Sequence, residues 1–432
     1  MIRPQRSPEI SLPLPYFLAS AVALVAVAAA VPFLAPDLVA GSDDPRVFAL
    51  THLAVLGWVT MTAMGALYQL FPVALGAQIH SLRMGRVNFC VYTVGVAGFV
   101  PSLYLSWNPG VSIFGSLAAL GILNFALGLF LSYRRVHNWH PMAFYLLAST
   151  CWFLVTIGFG VTWALDWYFN WFNITPNLLA AHVHAGLVGW LGCTLMGVSY
   201  KLMELFALSH RKRWRTAYAN LVLWNGGLLG LVIALLLVPG SAFIVLFAAV
   251  IGASALVFVA DLGVMFGRRR RRPLTLEHLY VGVSCLSLLL AAGMGLALAA
   301  GHPLTRDWIV AYGYVAIVGC FGFAIIGKYY KIIPFLVWLH RYSRTAGSAP
   351  TPLLRDLMNG QLGACGFGLL FIGYVGVLGG LLTSTQALVE AGGGLYFVGA
   401  LSVAGQIGWL FWPGRQVRRP EPGSVRGPAL PD

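Results

Sequence analysis

The sequence predicts an all-α polytopic membrane protein of twelve transmembrane helices in three pseudo-equivalent four-helix groups. Three observations carry that expectation. Of 432 residues, 59% are apolar and 9% charged, against roughly 45–50% and about 25% in a soluble globular chain. The mean hydropathy of +0.80 cannot come from one or two anchors, because each takes only about 20 residues. Finally, one 23-residue segment recurs three times at nearly constant spacing.

Apolar runs between polar or Gly/Pro breaks place the spans near 14–36, 47–75, 84–106, 110–133, 141–165, 177–205, 215–238, 242–266, 276–300, 308–338, 353–382 and 392–412. The first run is too long for a signal-peptide core and has no clear AxA-like cleavage site, so it reads as a span and the mature chain is expected to start at Met1. Residues 1–412 read as a single transmembrane domain. The Pro/Arg-rich end, 413–432, reads as a disordered cytoplasmic tail.

Basic residues orient the spans, because their clusters fall on alternate connections: Arg83/Arg86, Arg134/Arg135, Arg211/Lys212/Arg213/Arg215, Arg268 to Arg272, Arg341/Arg344/Arg355 and Arg415/Arg418/Arg419. Only Arg46 and Arg306 lie on the other side. The positive-inside rule then puts both termini in the cytoplasm of a bacterial-type inner membrane, with Trp107, Trp167, Trp171 and Trp308 at the outer interface. The net charge of +14 is thereby a topology signal, and the partner is the lipid bilayer, not nucleic acid. No polar stretch is long enough for a soluble catalytic domain. The six cysteines lie in apolar runs without CxxC spacing, which argues against thiol zinc sites and disulfides and for buried small side chains.

The recurring segments are 51–73 (THLAVLGWVTMTAMGALYQLFPV), 183–205 (VHAGLVGWLGCTLMGVSYKLMEL) and 313–335 (GYVAIVGCFGFAIIGKYYKIIPF), offset by 132 and 130 residues. The first two agree at eight of 23 positions, pairing His52 with His184, Gly57 with Gly189, Trp58 with Trp190 and Tyr68 with Tyr200 among others. The third keeps Gly319, Gly327 and Tyr330 and has Tyr314 at the histidine position. Each unit, near 14–133, 141–266 and 276–412, holds four spans, so the units enter the membrane in the same direction and can surround an axis along its normal. On a regular helix the repeated glycines share one face, a packing seam for a neighbouring helix, and the histidine looks the other way.

Seven of the ten histidines lie near span ends or in loops: His80, His137, His140, His210, His278, His302 and His340. His52, His182 and His184 sit about two turns inside the outer boundary. A polar side chain there needs a partner, and intramembrane ionisable residues mark function. A hydrogen bond to a neighbouring helix would satisfy one such residue. Recurrence at the same register in two helices points instead to ligation, since neutral imidazole is the commonest metal ligand. His182, two residues from His184, falls on the glycine face and is the weaker ligand candidate.

Twelve spans in three groups, with a histidine near the outer end of span 2 and another in span 6, resemble subunit I of the haem-copper oxidase superfamily, which includes nitric oxide reductases. The segment AHVHAGLVGWLGCTLMGVSY is also similar to the NnrS membrane proteins linked to the nitric oxide response. The resemblance implies that His52 matches the low-spin haem ligand, and His184 or His182 the span 6 copper ligand. It implies haem b, and copper, as cofactors. Departures are equally plain: span 7 has no histidine, and span 10 has Tyr312 and Tyr314 where the family has haem ligands. No acid sits mid-membrane where a proton path needs one.

The expectation is therefore a haem- or metal-binding membrane protein without a complete oxygen- or nitric-oxide-reducing centre. Electron transfer, gas or redox sensing, or cofactor handling beside a redox partner or respiratory subunits would be its task. Two other classes stay open: a non-haem permease with Lys201, Lys331, Tyr200 and Tyr330 at its inner mouth, and a structural subunit.

Overall fold

A computed structural model describes residues 9–41, 43–171, 174–206, 214–269, 274–301, 306–343 and 351–412. Among the described residues there is no strand, and twelve helices are long and apolar enough to cross a membrane. These are spans 1 to 12: Pro13–Phe33, Pro45–Leu75, Leu82–Tyr104, Asn108–Tyr133, Pro141–Phe169, Pro176–Glu204, Arg215–Leu237, Ala242–Gly267, Leu276–Ala299, Trp308–Arg341, Gly360–Leu382 and Gln386–Leu410. The tail 413–432, His210, His302 and the basic residues 211–213 and 270–272 lie outside the described residues.

The two largest departures from the expected boundaries are at the starts of spans 11 and 12, each for a local reason. Span 11 starts at Gly360, not near 353, because Asn359 Oδ1 caps it by accepting from the Gln361 and Leu362 amides at 3.0 and 3.1 Å, while Leu354–Leu357 forms a separate 3₁₀ turn. Span 12 starts six residues early, at Gln386, where the Gln386 and Glu390 side chains bond across one turn and make a polar first turn tolerable. Span 2 ends at Gly76, whose φ of 68° is the left-handed conformation that glycine adopts without strain. The cysteines are all free, but Cys90, Cys151 and Cys365 are exposed on outward helix faces; their apolar surroundings are lipid, not core.

The glycine seam forms as expected. A side chain on Gly65 would meet Tyr16 Cβ at 2.8 Å, one on Gly197 would meet Tyr145 Cβ at 2.8 Å, and one on Gly327 would meet Tyr280 Cβ at 2.7 Å. In each unit the second span thus lies backbone-close on an aromatic ring of the first. In units one and two the third span closes the arrangement. Asn88 Nδ2 donates to Tyr16 Oη at 2.9 Å and Asn220 Nδ2 to Tyr145 Oη at 3.1 Å, while the two tyrosines donate to the Gly85 and Ala217 carbonyls. Each of these residues is 132 positions from its counterpart, apart from the tyrosines at 129.

Spans 2, 6 and 10 meet one another at the centre. Trp190 Nε1 donates to Thr60 Oγ1 at 3.2 Å, Thr62 Oγ1 lies 2.7 Å from Tyr329 Oη, and Tyr312 Oη lies 3.3 Å from His184 Nε2. These contacts join similar depths of the three helices, which therefore run parallel.

Candidate functional site

Each central helix changes its winding at the same register. π-Helical segments occupy Leu53–Thr60, Ala185–Gly192 and Val315–Gly322, and the residue just before each is His52, His184 or Tyr314. The uniform 100° projection therefore fails over these eight residues, since i→i+5 hydrogen bonding turns each residue through a smaller angle. Longer hydrogen-bond spacing also frees carbonyls, which side chains take up: Tyr92 Oη donates to Leu56 O at 3.0 Å, Trp224 Nε1 to Val188 O at 2.9 Å and Ser284 Oγ to Cys320 O at 2.7 Å. Three helices with one sequence pattern thus share one irregularity, and such irregularities concentrate at functional sites.

His52 and His184 are held alike. Nδ1 of His52 lies 2.8 Å from the Phe48 carbonyl and Nδ1 of His184 lies 2.7 Å from the Ala180 carbonyl, each four residues back. A carbonyl only accepts, so Nδ1 carries the proton and, in a neutral ring, Nε2 presents a lone pair. Backbone-to-Nδ1 bonds of this kind orient metal-binding imidazoles. On His52, Nε2 has no hydrogen-bond partner, and the ring stands edge-on to Phe99 at 5.3 Å. On His184, Nε2 accepts from Tyr312 Oη.

His182 is also placed for ligation. Its ring packs on Trp163 at 4.9 Å and on Phe159 at 6.4 Å, faces the Thr156 carbonyl, and leaves Nδ1 buried without a partner. His182 and His52 stand on spans 6 and 2, which touch deeper in the bundle where Trp190 Nε1 donates to Thr60 Oγ1.

Between spans 6 and 10, His184 meets Tyr312, and Tyr314 of span 10 shares one apolar cluster with Leu50 of span 2. Deeper in the bundle, large side chains plug two of the interfaces between the central spans. Trp190 reaches Thr60 and stacks on Phe153 at 4.0 Å, and Trp58 lies over Gly322, where an added side chain would come within 2.6 Å of its ring. The third position is Cys320, and here a cavity of about 70 Å³ remains, lined also by His184, Tyr312, Met196 and Trp224, the last of which covers Gly192. Neither the cavity nor the missing third Trp's consequence could be read from the chain, although Cys320 at the tryptophan position was the available signal.

The residues suit one kind of cofactor better than another. Two imidazole nitrogens without partners, Nε2 of His52 and Nδ1 of His182, on adjacent helices suit a metal that favours nitrogen donors, such as copper or haem iron. The cavity beside His184 has room for a few small molecules and falls well short of the 300–1,000 Å³ typical of pockets for larger ligands, so a porphyrin does not fit there. Among the described residues no three His, Cys, Asp or Glu side chains converge as a metal site.

The expected inner-mouth residues are each engaged by another side chain. Tyr200 Oη donates to Asp261 at 3.1 Å, Lys201 pairs with Glu204 at 2.8 Å, Lys331 lies 3.7 Å from Glu277, and Gln406 Nε2 donates to Tyr330 at 3.1 Å. A lysine not singled out in the sequence, Lys328, pairs with Glu277 at 2.8 Å and borders a second, smaller cavity that shares Leu195 and Leu288 with the first.

No protein-family model matches the chain. Over 56 residues it is 36% identical to the cbb3-type cytochrome c oxidase subunit CcoN1 of Stutzerimonas stutzeri, a stretch covering 13% of this chain and 12% of that subunit. This is a local similarity to a haem-copper oxidase subunit.

Proposed function

We propose that this membrane protein is a relative of haem-copper oxidase subunit I that carries one imidazole-ligated redox centre, held by His52 and His182 between spans 2 and 6. The observation that carries the proposal is the pair of unpartnered ring nitrogens on neighbouring central helices. Copper would supply one-electron chemistry there, whereas Phe99, Phe159 and Trp163 pack on the two imidazoles where a porphyrin would have to lie. The Phe48 carbonyl would fix the His52 ring, and Phe99, Phe159 and Trp163 would exclude water around the pair. His184 belongs to the next interface, where it accepts a hydrogen bond from Tyr312 and borders the cavity. Electron transfer or redox sensing with a respiratory partner is the function this arrangement supports, with both termini cytoplasmic and the pair in the outer half.

Purified full-length protein, expressed with ample haem and copper, should retain copper, and His52→Ala and His182→Ala should each lower that content more than His184→Ala. A second reading, a permease, draws on the two adjoining cavities between spans 6 and 10. Wild-type protein free of haem and metal would favour it and end the cofactor proposal.

A further inference from the structure

The third unit departs from the other two in how it treats its buried tyrosine. Tyr280 takes the place of Tyr16 and Tyr145 against the seam glycine. Gly363, bordered by Leu276 and Tyr330, corresponds to Gly85, bordered by Leu12 and Tyr68, so the asparagine position of span 3, Asn88, becomes Gly366 in span 11. With no amide to donate to it, the Tyr280 hydroxyl is fully buried and unpartnered. Two further orphans lie in the same unit: Tyr396 Oη, in a residue 4% exposed, and Gln406 Oε1, in a residue 5% exposed.

These groups belong to one polar neighbourhood. Tyr280 stacks on Tyr330 at 5.9 Å, and Tyr330 accepts from Gln406 Nε2. Tyr396 packs by its backbone on Gly373, the residue before Tyr374, and Tyr374 lies 3.1 Å from Ser287 Oγ. Glu277, one turn before Tyr280, leads to the end of the bundle that carries the basic clusters, where Lys328 and Lys331 flank it. Unsatisfied hydroxyl and amide groups are costly in a bundle surrounded by lipid, and bound water is the usual remedy, making about three hydrogen bonds to such groups. The three orphans offer both roles: hydroxyls that donate and accept, and an amide oxygen that accepts.

We propose that the core of spans 9 to 12 holds a cluster of bound water at Tyr280, Tyr396 and Gln406, in exchange with the basic end of the bundle past Glu277. In units one and two Asn88 and Asn220 donate to the tyrosine hydroxyls, and in unit two the Asn220 amide oxygen is itself satisfied by Ser254 at 2.6 Å, which makes Tyr145 the dry reference. The inference stands independently of the metal centre.

Radiolytic hydroxyl-radical footprinting of the full-length protein in nanodiscs tests it, since buried side chains are modified only where water lies beside them. Tyr280 and Tyr396 should be labelled severalfold more than the equally buried Tyr145, whose hydroxyl is satisfied by Asn220 and Ala217. After mixing with H₂¹⁸O, the label on Tyr280 and Tyr396 should carry ¹⁸O within seconds. Labelling no greater than that of Tyr145 would overturn the cluster, and label without ¹⁸O would overturn the exchange. In a dry core, Tyr280→Phe and Tyr396→Phe would delete a costly orphan and raise the melting temperature; a hydrated core predicts no rise.

Discussion

Two interfaces flank span 6, and they differ in a way that assigns them different work. Toward span 2, Trp190 fills the gap, stacked on Phe153 and bonded to Thr60, and above it stand the two histidines with unpartnered nitrogens. Toward span 10, Cys320 stands where a tryptophan would, the gap remains open, and above it a tyrosine satisfies the histidine. A repeated scaffold thus presents the same backbone irregularity at both interfaces, and side-chain identity makes the difference: Trp190 fills one, and a cavity remains beside Cys320 at the other.

The largest expected effect concerns the plugs. Trp190→Ala and Trp58→Ala should each cost about 3–5 kcal/mol of stability, as truncation of buried aromatic side chains does, whereas Cys320→Ala should cost about 1 kcal/mol because its neighbours already leave space. Thermal melting of the purified protein measures this. Equal losses at the three positions would mean that the third interface is filled as tightly as the others.

Next in size is the asparagine contact that distinguishes units one and two from unit three. Asn88→Ala and Asn220→Ala each remove a donor from a buried tyrosine hydroxyl and should cost about 1–3 kcal/mol. Similar losses at both sites would support the equivalence of the two units; a loss at one alone would break it.

The twelve spans were legible because membrane helices announce themselves by length, and the equivalence of spans 2, 6 and 10 by the 132- and 130-residue offsets that put a π segment at one register in each. The glycine seam was legible as well, since only a small residue lets Tyr16, Tyr145 and Tyr280 lie against a helix backbone. The proposed pairing of His182 with His52 was not. It depends on which faces of two helices meet, and a projection at constant pitch cannot deliver that once π segments intervene. The starts of spans 11 and 12 were misplaced because Asn359 and Gln386 act through local hydrogen bonds that hydropathy does not record.

A smaller effect sharpens the second interface. Tyr312→Phe removes one 3.3 Å hydrogen bond to His184 and should cost about 0.5–1.5 kcal/mol, leaving cofactor content unchanged if the centre sits at His52 and His182. Loss of cofactor in this variant would move the centre to the cavity.

The smallest effect is a pH dependence outside the spans. Burial, and then the nearby Lys201, hold the His140 imidazole below its ordinary pKa of 6.5. Because the unfolded chain takes up the proton first as pH falls, His140 lowers stability progressively below about pH 6.5 and has no such effect above it. His140→Gln should flatten that part of the melting profile between about pH 6.5 and 5.

The central claim, one redox centre between His52 and His182, is tested most directly by metal analysis combined with oxidised and reduced optical spectra of the wild type, His182→Ala and His184→Ala. The account predicts about one copper per chain in the wild type, loss of that content with an altered spectrum in His182→Ala, and near wild-type content in His184→Ala. Full retention in His182→Ala together with loss in His184→Ala would contradict it.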